Sequence, residues 1–270
     1  MHRIGFIGAG NMARALGGGL AGAGSGEARF ELIATDPVAE ALDGFRTATG
    51  GRSVAELGAL AAEAEVLVLS VKPQVLPAVL EKLAPVVRGD HLVLSIVAGV
   101  PLKGLARSLG AEVRTVRAMP NTPSLVRRGI TALVAGPTAR PEDVQLAEAV
   151  FASVGEVVVL DDEKLLDAVT AVSGSGPGFL FAYAEAMLEA AQAVGLDETL
   201  ALRLVRETIL GSAVLWKESG EEASVLRARV TSPGGTTQAG LEALDSRGFA
   251  RAVRAAVESA TRRSRELSAG

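Results

Sequence analysis

Ile7-Gly8-Ala9-Gly10-Asn11-Met12-Ala13 is the stretch whose reading decides the fold. An apolar run at residues 4–7 precedes it, and an Ala- and Leu-rich segment at 12–22 follows. Strand, glycine turn and helix opening, in that order, make a cradle for a dinucleotide pyrophosphate. Gly8 permits the tight turn, and Gly10 lets the backbone approach the phosphates. Ala13, in the third glycine's place, allows close packing of helix on sheet. The motif alone is weak; its position between strand and helix gives it force.

The second strand of such a unit should end in an acid, and Asp36 stands there. A carboxylate at that point binds the adenosine ribose hydroxyls of NAD. A 2′-phosphate would meet like charge, about 4 kcal/mol per charge pair at ~4 Å with an effective dielectric of ~20. The next residue is Pro37, and the first cation downstream is Arg46. The cofactor is therefore expected to be NADH or NADPH, with Asp36-Pro37 leaning toward NADH. The alternative for this pair is an Asp-Pro turn after a strand.

Working outward, short apolar runs recur at 32–34, 66–71, 92–97, 113–118, 131–134 and 157–160, with helical segments such as 54–64 between them. This is the alternation of a doubly wound, mostly parallel α/β sheet, a Rossmann domain over residues 1–161. After Asp161 the strand signal stops. Segments 164–172, 178–194, 198–218, 238–244 and 249–267 read as helices, giving an all-helical second domain over 162–270. Ser173-Gly-Ser-Gly-Pro177 separates the first two, with Pro177 in a first helical turn and Ser175 or Gly176 as its cap. The helix after Pro177 is apolar around most of its surface, so dimerisation is expected to cover it.

A chain of 270 residues, 49% apolar, has room for two cores. Its formal net charge of −4, with both signs dispersed and few aromatics, gives no basic face for nucleic acid. Arg262, Arg263 and Arg265 suit a solvated last helical turn. The absence of cysteine excludes disulfides and thiolate chemistry, and no metal site is expected. No apolar run approaches a membrane span, and the N-terminus enters a strand directly, so a soluble cytoplasmic protein is expected.

Acid catalysts are scarce. His2 and His91 are the only histidines, and neither is placed as a general acid. The helix after Pro177 carries no lysine to protonate an alkoxide, which argues against carbonyl reduction. An iminium is already electrophilic and needs orientation more than acid catalysis. Ser232-Pro-Gly-Gly-Thr-Thr237 can supply that orientation. Gly234 and Gly235 can turn successive amides toward one anion, and Thr236 or Thr237 can cap a helix beginning near Gln238. Two such loops suggest two ligands meeting in one cleft. The alternative for the hexapeptide is a glycine-rich turn between helices.

These motifs together resemble the pyrroline-5-carboxylate reductase family, almost end to end. The resemblance rests on Phe6-Ile-Gly-Ala-Gly-Asn-Met12, Val71-Lys-Pro73, Ala98-Gly-Val100, Ala118-Met-Pro-Asn-Thr-Pro123, Asp167-Ala-Val-Thr170, Ser173–Pro177 and the loop at 232–237. It implies hydride transfer from NAD(P)H to the ring carbon of 1-pyrroline-5-carboxylate, giving L-proline. It implies a Rossmann domain, a helical dimerisation domain and a homodimer, with a pentamer of dimers in some members. By position, Ile7, Gly8, Ala9, Gly10, Asn11 and Met12 would hold the pyrophosphate. Val71, Lys72, Pro73 and Ala98 would border the cofactor, and Met119, Pro120 and Asn121 would lie by the nicotinamide. Ser232, Gly234, Gly235, Thr236 and Thr237 would hold the substrate carboxylate, with Thr237 orienting the ring nitrogen as the catalytic candidate. Ser175 and Gly176 would shape the helix start beside the site. Glu163 matches an acidic position near the substrate; its alternative is a solvated helix-start glutamate.

Three places depart from the family pattern: Gly178-Phe179, Glu222-Ala223 with Leu226-Arg227-Ala228, and Asp36-Pro37. Other readings are a reductase of a six-membered cyclic imino acid, a hydroxyacid dehydrogenase, and a nucleotide-binding protein without turnover.

Overall fold

The computed structural model describes residues 2–22 and 30–269, the last by its backbone alone. Eight strands form one sheet: β1 (His2–Ile7), β2 (Phe30–Thr35), β3 (Arg52–Ser53), β4 (Val66–Leu69), β5 (Leu92–Ser95), β6 (Arg114–Met119), β7 (Gly129–Ala135) and β8 (Gly155–Val159). Their order is β3-β2-β1-β4-β5-β6-β7-β8. All neighbours pair in parallel except β6 and β7. The first six stand in the order of a dinucleotide-binding sheet, with the switch point beside β1. Every expected strand is present; β3, two residues long, carried no signal strong enough to read.

The sheet is covered on both faces. On one, α1 (Asn11–Gly22), α2 (Ala39–Thr49) and α6 (Pro141–Ala152) bury Leu16, Phe45 and Phe151 against Ile4, Phe6 and Val68. On the other, α3 (Leu57–Glu63), α4 (Leu76–Leu83) and α5 (Leu102–Leu109) bury Leu60, Leu83 and Leu105 against Ile33, Leu67 and Val93. Central strands with both faces buried read as continuous apolar runs rather than alternating ones. Each such side chain contributes about 1.5–3 kcal/mol by leaving water.

The chain forms two compact units, Met1–Ser175 with Ala260–Gly270, and Gly176–Ser259. The last strand ends at Val159, close to the expected change at Asp161, yet the compact unit runs on to Ser175. The reason is α7 (Leu165–Val169), whose Leu166 packs with Leu102, Ala132 and Val134.

Beyond α7 the helix does not break at Ser173-Gly-Ser-Gly as expected. It passes through a π-helical turn, Thr170–Gly174, with Ser175 N–H donating to Thr170 O, and continues as α8 (Gly176–Ala193). Ser175 lies in the right-handed helical region and is not an extended cap. Leu165–Ala193 is thus one helix of 29 residues, long and apolar enough by length and composition to cross a membrane. The expectation that no apolar run approaches that length is corrected: reading Ser173–Gly176 as a break, with Pro177 opening a new helix, split the run in two.

The second unit holds α8, α9 (Glu198–Ser219), α10 (Ala223–Arg229), α11 (Thr236–Ser246) and the first turns of α12 (Phe249–Ala269). Asp197 caps α9 by accepting from Leu200 N–H. Only Ala201 and Val205 are buried in it.

Candidate active site

The loop after β1 is built for a close backbone approach. Gly8 has φ 97°, and a Cβ there would stand 2.7 Å from Ser70 O. Ser70 Oγ donates to Gly8 O at 2.6 Å, tying this loop to the one after β4. A Cβ on Gly10 would meet nothing within 4 Å, so the space beside it is open to a ligand. Arg14 N–H makes the first helical bond, to Gly10 O, and the amides of Asn11 and Met12 have no acceptor among the described residues. Open room plus free first-turn amides fit a pyrophosphate. Ala13 is fully buried under the sheet, as its place in the fingerprint requires.

Asp36 sits at the C-terminal end of β2. Its Oδ2 accepts from Ala9 N–H and its Oδ1 from Val38 N–H, both at 2.8 Å. The second bond is the Asp-Pro turn; the first reaches across to the glycine loop. The carboxylate therefore makes the Asp-Pro turn and also lies beside the glycine loop.

Val71, Lys72 and Pro73 follow β4, Ala98 follows β5, and Met119, Pro120 and Asn121 end β6. The topology gathers these with residues 7–12 at the carboxyl ends of adjacent parallel strands, where open α/β sheets bind ligands. Lys72 and Pro73 are exposed, while Pro120 is buried.

Asn121 has a structural assignment of its own. Its Oδ1 accepts from Ile130 N–H at 2.9 Å, and its Nδ2 donates to Ser173 O at 3.1 Å. Ser173 O is the carbonyl that a residue at 177 would normally bond in a helix, and Pro177 has no N–H to give. The proline, the π turn and Asn121 thus form one arrangement, and a π turn of this kind often marks a functional segment. Gly174 lies against Met119: a Cβ there would be 2.9 Å from Met119 Cε.

Glu163 is not a solvated glutamate. Its Oε1 accepts from Leu102 N–H at 2.8 Å, at the start of α5, and from Arg117 Nη1 at 2.7 Å. Arg117, on β6, is buried, so its charge needs this partner.

In the second unit, α11 begins at Thr236, two residues earlier than expected, with Gly235 as cap and no side-chain capping bond. Thr236 and Thr237 are the first helical residues, which corrects the expectation that either caps. Gly234, at φ 69°, donates its N–H to Gln238 Oε1 at 2.8 Å, and Gly235 N–H donates to Ser232 O at 3.0 Å. Both glycine amides are thus used inside the loop. The amides of Thr236, Thr237 and Gln238, and both threonine hydroxyls, have no partner among the described residues. The donors left free are those of the first helical turn, the arrangement that suits an anion.

Sequence reasoning missed Ser70, a hydroxyl ending the apolar run of β4, and the pairing of Glu163 with Arg117. A buried-strand position filled by arginine, Arg117 between Val116 and Ala118, was the available signal for the second.

A dinucleotide-binding sheet joined to a helical unit with a large uncovered apolar surface defines the class: a two-domain oxidoreductase that pairs with itself. Residues 163–267 match the model for pyrroline-5-carboxylate reductase dimerisation, and 3–99 match the model for NADP oxidoreductase, coenzyme F420-dependent. The pyrroline-5-carboxylate reductase of Pseudomonas aeruginosa is 43% identical, over 98% of this chain and 96% of that protein. The solved pyrroline-5-carboxylate reductase of Coxiella burnetii superposes with TM-score 0.90 at 37% identity, covering 99% of this chain and 98% of that one. The Plasmodium falciparum pyrroline carboxylate reductase with NADP bound gives 0.87 at 30%, with the same coverage. The chain belongs to the pyrroline-5-carboxylate reductase family.

Proposed function

We infer that this chain reduces 1-pyrroline-5-carboxylate to L-proline with a nicotinamide dinucleotide, the last step of proline biosynthesis. The observation that carries the reading is the start of α11, where three amides and two hydroxyls stand free for one carboxylate. The dinucleotide supplies the hydride when bound. The chain's own residues bind and orient: Gly10, Asn11 and Met12 receive the pyrophosphate, and the amides of Thr236, Thr237 and Gln238 receive the substrate carboxylate. Thr237 Oγ1 orients the ring nitrogen. No side-chain acid is required, because the imine takes its proton before the hydride arrives.

The protein is an NAD(P)H-dependent homodimer. Its finer preference is for NADH, supported by the Asp36 carboxylate beside the glycine loop and by Pro37 where a cation would serve a 2′-phosphate. Dimers close further into a pentamer of dimers, which light scattering would test: a dimer mass removes the larger assembly. The enzyme is cytoplasmic, with the apolar length of Leu165–Ala193 covered by protein rather than lipid; recovery in the membrane fraction would overturn this.

The decisive experiment follows NADH and NADPH oxidation with 1-pyrroline-5-carboxylate, side by side, with proline quantified. Turnover to proline is expected; binding of cofactor without turnover would remove the reading. Asp36→Ser with Pro37→Arg should raise the NADPH-to-NADH rate ratio by at least about tenfold, since a like-charge contact is removed and an opposite one added. An unmoved ratio would detach Asp36 from the ribose.

A further inference from the structure

Asp167 belongs to a sequence motif that the chemistry above does not use. It lies on α7, and its Oδ1 accepts from Ser264 Oγ at 2.7 Å, with Ser268 Oγ at 3.5 Å. The two serines are one turn apart on the last part of α12, and Ser264 is buried. Between them, Leu267 rests on Gly99. Gly99 has φ 75°, and a Cβ there would stand 3.1 Å from Leu267 Cβ and 3.2 Å from Leu267 O. All of these residues belong to the sheet-containing unit.

Gly99 is the middle of the turn after β5, next to Ala98. That turn, Pro73, Leu267 and Ser268 line a cavity of about 920 Å³. The end of α12 is therefore one wall of a space that opens beside two residues read as bordering the cofactor. A helix end leaves its last carbonyls unbonded and frays readily unless held. One carboxylate oxygen, shared by hydroxyls at i and i+4, is a charge-assisted hold of that kind.

We propose that Asp167 is a positioning residue for cofactor binding: it clamps the final turns of α12 onto the Ala98-Gly99-Val100 turn and so keeps that turn shaped for the dinucleotide. The proposal rests on the assignment of Ala98 to the cofactor site. Removing the acceptor leaves the buried Ser264 hydroxyl unpaired and releases the wall.

The test is a fluorescence titration of NADH and NADPH into the full-length wild type, Asp167→Ala, Asp167→Asn and the double variant Ser264→Ala/Ser268→Ala, with kcat and both KM values measured alongside. Asp167→Ala and the serine pair should each raise the cofactor Kd about tenfold. The KM for 1-pyrroline-5-carboxylate should change far less. Asp167→Asn, which keeps an acceptor oxygen, should recover most of the affinity. The serine pair serves if Asp167→Ala fails to fold. Folded variants with wild-type cofactor Kd overturn the proposal and leave the cofactor reading standing. Equal losses in cofactor and substrate affinity, not recovered by Asp167→Asn, would mark general loosening and overturn it as well. A wild type that binds neither cofactor overturns the cofactor reading and this proposal with it.

Discussion

The sheet and the helical segment Gly176–Ser259 use apolar residues in opposite ways. Around the sheet, Phe6, Phe45, Leu67 and Phe151 are fully buried, and both faces are packed within one copy of the chain. In the helical segment, Phe181 is 65% exposed and Leu215 and Trp216 are each 56% exposed, on helices of similar apolar content. Two cores' worth of hydrophobic residues were written into the chain, and one of them is left open within a single copy. A helix that is apolar on most sides needs a neighbour on most sides, and an exposed patch of this size marks an interface. The difference teaches that the first unit is finished by its own sequence and the second by a second copy.

The largest effect should come from breaking that dependence. Phe181→Asp with Leu215→Asp places two charges where apolar surface is expected to be covered. Both copies carry both changes, so at about 2 kcal/mol for each of the four lost burials dimer affinity should fall by up to about a millionfold. Sedimentation should show monomer, and activity should disappear with it; an active dimer would mean that another face is covered. Next comes a change that leaves the assembly intact. Thr237→Val should lower kcat by about a hundredfold while the Kd for NAD(P)H holds, the scale of losing one positioned donor. An unchanged rate would take Thr237 out of the mechanism.

Within the self-sufficient unit, two glycines two positions apart should behave differently. Gly10→Ala puts a methyl into open space, so the melting temperature should hold while the Kd for the dinucleotide rises at least about tenfold, from crowding worth about 1–3 kcal/mol. Gly8→Ala forces a left-handed backbone and a clash with Ser70 O, so it should destabilise by a similar 1–3 kcal/mol even without ligand. Equal melting temperatures for the two would deny this division of labour.

The smallest effect belongs to the exposed cluster of Glu31, Arg52 and Glu63 on the sheet edge. The hydrogen bond from Arg52 holds the Glu63 carboxyl below its usual range. A carboxyl lowered on folding contributes stability above its unfolded pKa and loses it as pH falls through the lower folded value. Glu63→Gln should therefore flatten the acid limb of the stability curve slightly, and the difference should shrink in salt. A difference that grew above neutral pH would contradict this sign.

Much of the sheet was legible because buried parallel strands announce themselves as apolar runs, and the glycine loop because its mechanism demands glycine at fixed places. What was not legible depended on partners distant in sequence. Glu163 looked like a solvated helix start because nothing near it names Arg117, which lies 46 residues earlier. Pro177 looked like the start of a new helix because the usual cost of an interior proline falls on the Ser173 carbonyl, and that carbonyl is satisfied by Asn121, 52 residues earlier. The loop at Ser232 was expected to turn its glycine amides outward, yet which amides remain free was set by Gln238 closing back on Gly234.

The exchange at Ser173 has a consequence for inheritance. The carbonyl needs one donor, and either a backbone N–H at 177 or a side-chain amide at 121 can provide it. Positions 121 and 177 are therefore tied as a pair: a descendant that replaces Pro177 with alanine gains a competing donor, and the demand for asparagine at 121 is relaxed. Descendants should lose these two residues together more often than singly, although 55 positions of chain lie between them.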